Sequence, residues 1–176
     1  MTALWKTATW NQFGAAIEML ADAVRACPDE LWRFRLWPPP PEGRGFFRFP
    51  EFSEFWYLAY HALFWLDLYL TGAEEGFAPP APFLLIEQDE NGPVPERVYS
   101  KEELLAYLAQ CRQRCQAAIE SLSDEGAQRR CTFAWGEVSY AELLLYTMRH
   151  VQEHAAQLSL VLGQQAGYQP GWEAAA

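Results

Sequence analysis

Four stretches of this chain repeat apolar side chains every three to four residues, and none sustains the period-two alternation of a strand. That pattern restricts the fold to helices packed on helices. The first stretch carries Phe13, Ile17, Leu20 and Val24 on one face, with an expected start at a capping box of Thr9 and Gln12 and a stop at Cys27, ahead of Pro28. The second, from near Ser53 to Gly72, is apolar almost all round (Trp56, Leu58, His61, Phe64, Trp65, Leu68), which predicts the most buried helix. The third opens at a capping box of Ser100 and Glu103 and runs a stripe from Leu104 to Leu122. The fourth opens at Ser139 and Glu142, carries Leu143, Leu144, Met148, Val151, Leu158 and Val161, and is expected to end near Gly163. Residues Thr132 to Val138, around Gly136, read as a short hairpin. The prediction is an all-α protein, an antiparallel four-helix bundle made by residues 1–176 as one domain.

The connections between the first three helices exceed the 2 to 8 residues usual in bundles. Pro28 to Phe52 holds the run Pro38 to Pro41 with Trp32, Phe34, Trp37, Phe46, Phe47 and Phe49, and Ala73 to Tyr99 holds Pro79, Pro80, Pro82, Pro93 and Pro95. Aromatic residues at this density predict segments packed on the bundle, because a disordered linker is poor in them. Such lengths also predict crossovers, so helices 1 and 2 should not form a tight hairpin.

A chain of 176 residues buries roughly 70% of its unfolded surface, enough for a core without staples, so a metal site here serves function before structure. With 13 Lys and Arg against 23 Asp and Glu, the net charge is −10, the opposite of a nucleic-acid-binding footprint. The longest apolar run, Phe55 to Leu66, is too short to cross a bilayer, which takes about 20 residues. The first ten residues lack a basic region followed by an apolar one, and the expected location is the cytoplasm. There Cys27, Cys111, Cys115 and Cys131 should be reduced, and without a C-x-x-C pair among them they read as small core residues.

The chain has three histidines, His61, His150 and His154, all inside expected helices and none in a loop. Four residues separate His150 from His154, which sets the two imidazoles about 40° apart on one helical face, a spacing that lets them grip one ion. A third imidazole from a neighbouring helix would complete a three-histidine site with open coordination positions, the form of catalytic zinc sites. Hydrogen-bonded core histidines are the competing reading, and the residues alone leave both open. The stretch from His150 to His154 also fits H-x-x-E-H, an inverted zinc-protease signature, but only Glu173 follows it as a downstream acidic ligand.

Helix 2 with Trp56, Tyr57, Leu58, Ala59, Tyr60 and His61 up to Gly72, then helix 4 with His150, Glu153, His154, Ala155 and Gln157, resembles the DinB-like superfamily of bacterial four-helix bundles. Ala155 and Ala156 stand where many members carry a basic residue and a glycine. The resemblance spans essentially the whole chain and implies one divalent metal ion, zinc or nickel, on His61, His150 and His154. It also implies a metal-dependent transferase or hydrolase that activates a thiol or water, with a low-molecular-weight bacterial thiol as a second cofactor and a small molecule as substrate. Helical angle makes Glu54, Tyr57, Tyr146, Glu153 and Gln157 the candidate catalytic residues. The alternative is a non-catalytic, stress-associated metal-binding bundle acting through protein contacts, such as a homodimer. Neither reading calls for nucleic acid or membrane.

Overall fold

The computed structural model describes residues 2–38, 49–88, 94–168 and 171–176. Four long helices make the bundle: α1 (Ala3–Ala26), α2 (Phe55–Thr71), α3 (Lys101–Ser121) and α5 (Tyr140–Ala166). Between α3 and α5 stand a one-turn helix α4 (Asp124–Gln128), which the sequence reading does not contain, and the expected hairpin of β1 (Arg130–Phe133) and β2 (Gly136–Ser139). Ala134 and Trp135 form its two-residue turn, between the paired residues Phe133 and Gly136.

Helix starts follow the side chains that satisfy their orphan donors, and three expected boundaries move. Helix α1 opens at Thr2, whose hydroxyl accepts from the Trp5 amide, and not at Thr9, which lies buried inside the helix. The additional turns are held by Lys6 Nζ, which donates to Glu120 O at 2.8 Å, and by Trp5, which packs on the core. Helix α2 opens at Glu54 and not Ser53, because Pro50–Ser53 winds into a 3₁₀ turn first, and it closes at Gly72 with φ +77° as expected. Ser100 and Glu103 form the full reciprocal capping box of α3. Helix α5 opens at Ser139 but runs through Gly163 to a left-handed Gly167. One interior glycine costs only about 1 kcal/mol, and buried Val161 and Leu162 carry the helix past it.

Helix α1 packs on α3 and α5, and α2 packs on the same two, so α1 and α2 lie diagonally and are no hairpin. Contacts between Lys6 and Glu120 and between Glu18 and Arg112 set α1 antiparallel to α3. The bond from Tyr140 OH to Leu70 O (2.7 Å) sets α5 antiparallel to α2. Trp56 against Tyr99 and Asp67 against Tyr107 set α2 parallel to α3, which leaves α1 and α5 parallel as well. The long connections make these diagonal crossings possible.

Of the residues in α2, only Trp65 and Thr71 are not buried, which makes it the central helix. The first connection lies on the bundle: Trp32 is buried and donates from Nε1 to Tyr99 O at 2.9 Å, while Leu36 N bonds Ser53 O at 2.8 Å. Pro39 to Pro41, Phe46, Phe47 and Pro93 lie outside the described residues. All four cysteines are free and buried, as expected. No helix among the described residues is long and apolar enough to cross a membrane.

Candidate metal centre

His61 lies in the second turn of α2, and His150 and His154 lie one turn apart on the face of α5 that meets it. The three rings converge through one kind of atom. His150 Nε2 is 3.2 Å from His61 Nε2 and 3.0 Å from His154 Nε2. One ligand atom from each residue lies within 4.8 Å of the others, and the three could hold a metal ion.

The opposite nitrogens decide which way the lone pairs face. His61 Nδ1 lies 2.7 Å from Glu87 Oε2. That carboxylate also accepts from Trp65 Nε1 at 3.1 Å and from Tyr57 OH. Burial works to raise the Glu87 carboxyl, but His61 and the donated hydrogen bonds outweigh it and hold it below the usual carboxylate range. An ionised Glu87 can only accept, so His61 Nδ1 donates, which leaves Nε2 as the nitrogen that can offer a lone pair. His154 Nδ1 lies 2.9 Å from Gln157 Oε1, which likewise leaves its Nε2 bare.

The Nε2 atoms of His61 and His154 therefore both face the Nε2 of His150, whose own Nδ1 is buried with no hydrogen-bond partner among the described residues. Burial, reinforced by the neighbouring rings, lowers His150 to about 2 and His154 to about 4, so both are neutral at physiological pH. A neutral His150 can place its one proton on Nε2 and share it with the neighbouring Nε2 atoms at 3.2 and 3.0 Å, and a divalent ion that displaced this proton would take its place among the three nitrogens. The donor set fits a divalent ion: three borderline nitrogen ligands, two of them oriented by outer hydrogen bonds.

A family model for the DinB superfamily matches residues 12–158. The chain belongs to the DinB superfamily. No curated protein and no solved structure matches it. The matched span of this DinB-superfamily chain includes all three histidines and at least part of each long helix.

Around its centre, the DinB-superfamily chain distributes the five other candidates unevenly. Gln157 reaches the site directly, through His154, and Tyr57 reaches it through Glu87. Glu54 does not turn toward the histidines. It is the extended N-cap of α2, so the helical angle that aligned it with His61 does not apply. Its buried carboxylate instead takes Arg33 at 2.9 and 3.1 Å and Trp56 Nε1 at 2.7 Å. Tyr146 stacks on Trp135, and Glu153 is exposed on the outer face of α5. Glu87, in the 3₁₀ turn Leu85–Gln88, is the side chain against His61 that sequence reasoning missed. Its available signal was a carboxylate directly after the apolar run Phe83 to Ile86, in a connection otherwise marked only by prolines.

Proposed function

We propose that this chain is a metal-dependent enzyme that binds a divalent ion, zinc or nickel, at His61, His150 and His154 and acts on a small molecule as a thiol transferase or hydrolase. The observation that carries the reading is the convergence of three Nε2 atoms, with Glu87 and Gln157 occupying the far nitrogens of two of the rings. A bound divalent ion supplies Lewis acidity, which lowers the pKa of water to about 7 and deprotonates a coordinated thiol.

The protein's share of the work is orientation and exclusion. Glu87 holds the proton of His61 at Nδ1, and Tyr57 and Trp65 hold Glu87. The aromatic body of α2 keeps bulk water from the inner side of His61, which is only 9% exposed. None of the chain's own thiols competes as nucleophile, since burial pushes Cys27 and Cys115 up to about 12 and raises Cys111 and Cys131 as well. A reacting thiol comes from outside, as a low-molecular-weight cosubstrate, and the setting that keeps such thiols reduced is the cytoplasm.

Metal analysis of purified wild type beside His150→Ala tests the centre, with about one ion per chain expected in the first and none in the second. A small bacterial thiol added to cobalt-substituted protein should change its visible spectrum, as sulfur enters the coordination sphere. Metal uptake without any such change would favour hydrolysis or a non-catalytic metal-binding bundle.

A further inference from the structure

The connection between α2 and α3 comes back onto α2 at two points, and helix side chains hold it there. Tyr60 OH donates to Leu84 O at 2.8 Å, and Phe83 stacks on Tyr60 at 5.8 Å and on Tyr107 at 4.6 Å between ring centroids. Further along, Glu87 takes its donors from Tyr57, His61 and Trp65, which recur every fourth residue along one stripe of α2. Among the described residues, no backbone–backbone hydrogen bond ties the 3₁₀ turn Leu85–Gln88 to a helix.

The turn is a thin cover. Leu84 and Leu85 are 50% and 45% exposed, while Glu87 is buried. Beyond Phe83, apolar contact is left to the partly buried Ile86, so the carboxylate is the main anchor of the turn. Three donors converge on this one group, and lifting Glu87 away breaks all three bonds together and leaves Tyr57, His61 and Trp65 without that acceptor. The turn therefore opens and closes as a unit.

His61 joins this turn to the metal centre. Its Nδ1 donates to Glu87, and its Nε2 faces His150. A cation on Nε2 draws electrons from the ring and makes Nδ1–H a stronger donor, while a carboxylate on Nδ1–H makes Nε2 a stronger ligand. Each event favours the other, and by linkage the two preferences are equal in size.

We propose that the turn Leu85–Gln88 is a latch on the metal centre: closure through Glu87 tightens the grip on the ion, and the bound ion holds the turn closed. The lie of the connection between α2 and α3 thereby regulates metal affinity from a segment that supplies none of the ligands. The inference deepens the metal-enzyme reading and rests on it.

Hydrogen exchange of the full chain, read by mass spectrometry on peptides spanning Leu85–Gln88 with and without saturating zinc, tests the latch. In wild type, zinc should slow exchange of this turn about tenfold or more, the lower end of what an outer partner of a ligand histidine contributes, while amides in the middle of α3 keep their rates. In Glu87→Ala the turn should exchange fast whether or not zinc is bound. Tyr57→Phe, which removes one of the three donors and no ligand, should both speed exchange of the metal-free turn and weaken zinc binding. Equal exchange with and without zinc, in wild type that metal analysis shows to be loaded, overturns the latch and leaves the centre standing. Faster exchange in Tyr57→Phe with zinc affinity unchanged does the same. Failure of the wild type to take up zinc overturns the centre and the latch together.

Discussion

Glu87 Oε2 sits 2.7 Å from His61 Nδ1, and this one contact joins the connection between α2 and α3 to the histidine-bearing face of the bundle. The carboxylate is buried and is shared with Tyr57 and Trp65, so its position does not depend on His61 alone.

Removing it should therefore weaken the site without unfolding the protein. Outer hydrogen-bond partners of ligand histidines are typically worth 10- to 100-fold in metal affinity. Glu87→Ala is expected to lose affinity in that range, and Glu87→Gln, which keeps an acceptor, should lose less. Competition against a chromophoric chelator measures both, and an unchanged affinity in Glu87→Ala would show that the contact does not tune the ligand.

Chelation should leave the helices intact. The core excludes no part of the bundle from packing when the ion is absent: α2 is buried against α3 and α5 through its own apolar residues. Far-ultraviolet circular dichroism before and after chelator treatment should differ little, in contrast to a zinc finger. Loss of helicity would make the site structural.

Acid should destabilise the metal-free protein in a defined window. Unfolded histidine takes up a proton near 6.5, whereas burial and neighbouring rings hold folded His154 to about 4 and His150 to about 2. The unfolded state therefore binds more protons below pH 6.5, and stability present above that value is lost as pH falls through 4 toward 2. Urea midpoints in chelator at pH 7.5, 5.5 and 4.5 should fall in that order, and replacing both residues by glutamine should flatten the series. With metal present, protons also compete for the ligands, so the ion should leave over the same range.

A separate buried charge should matter to stability alone. Asp67 on α2 accepts from Tyr107 OH at 3.0 Å and from Arg114, both on α3. Arg114 is half exposed and its share is screened, so Asp67→Ala should cost about 2 kcal/mol, below the usual range for breaking a fully buried pair. For a chain of this size that corresponds to a fall of roughly 4 to 8 °C in Tm, with metal affinity unaltered.

The parts of this molecule legible in its sequence are those set by neighbours along the chain. Ser100 and Glu103 satisfy one another's backbone within four residues, and Gly72 supplies a left-handed turn by itself. The histidine pair on α5 follows from helical geometry. Thr9 with Gln12 resembles a cap as well as Thr2 does, and only the packing of Trp5 and the reach of Lys6 to Glu120 choose between them. Glu87 lies 26 residues from the histidine it orients, and no local pattern links them. Trp135 could be read as part of a hairpin, but its stacking on Tyr146 depends on how that hairpin lies against α5.

His61 and His150 are 89 residues apart, so the full ligand set exists only once the α3 connection has closed the chain on itself. An unfolded chain offers at most the His150 and His154 pair on one stretch, and an ion should discriminate strongly between the two states. Each tenfold rise of free metal above its dissociation constant then adds about 1.4 kcal/mol to the native state. On the proposed metal-centre reading, metal supply would act as a thermodynamic reserve for this protein, and cells rich in the ion would hold more of it intact, independently of any turnover.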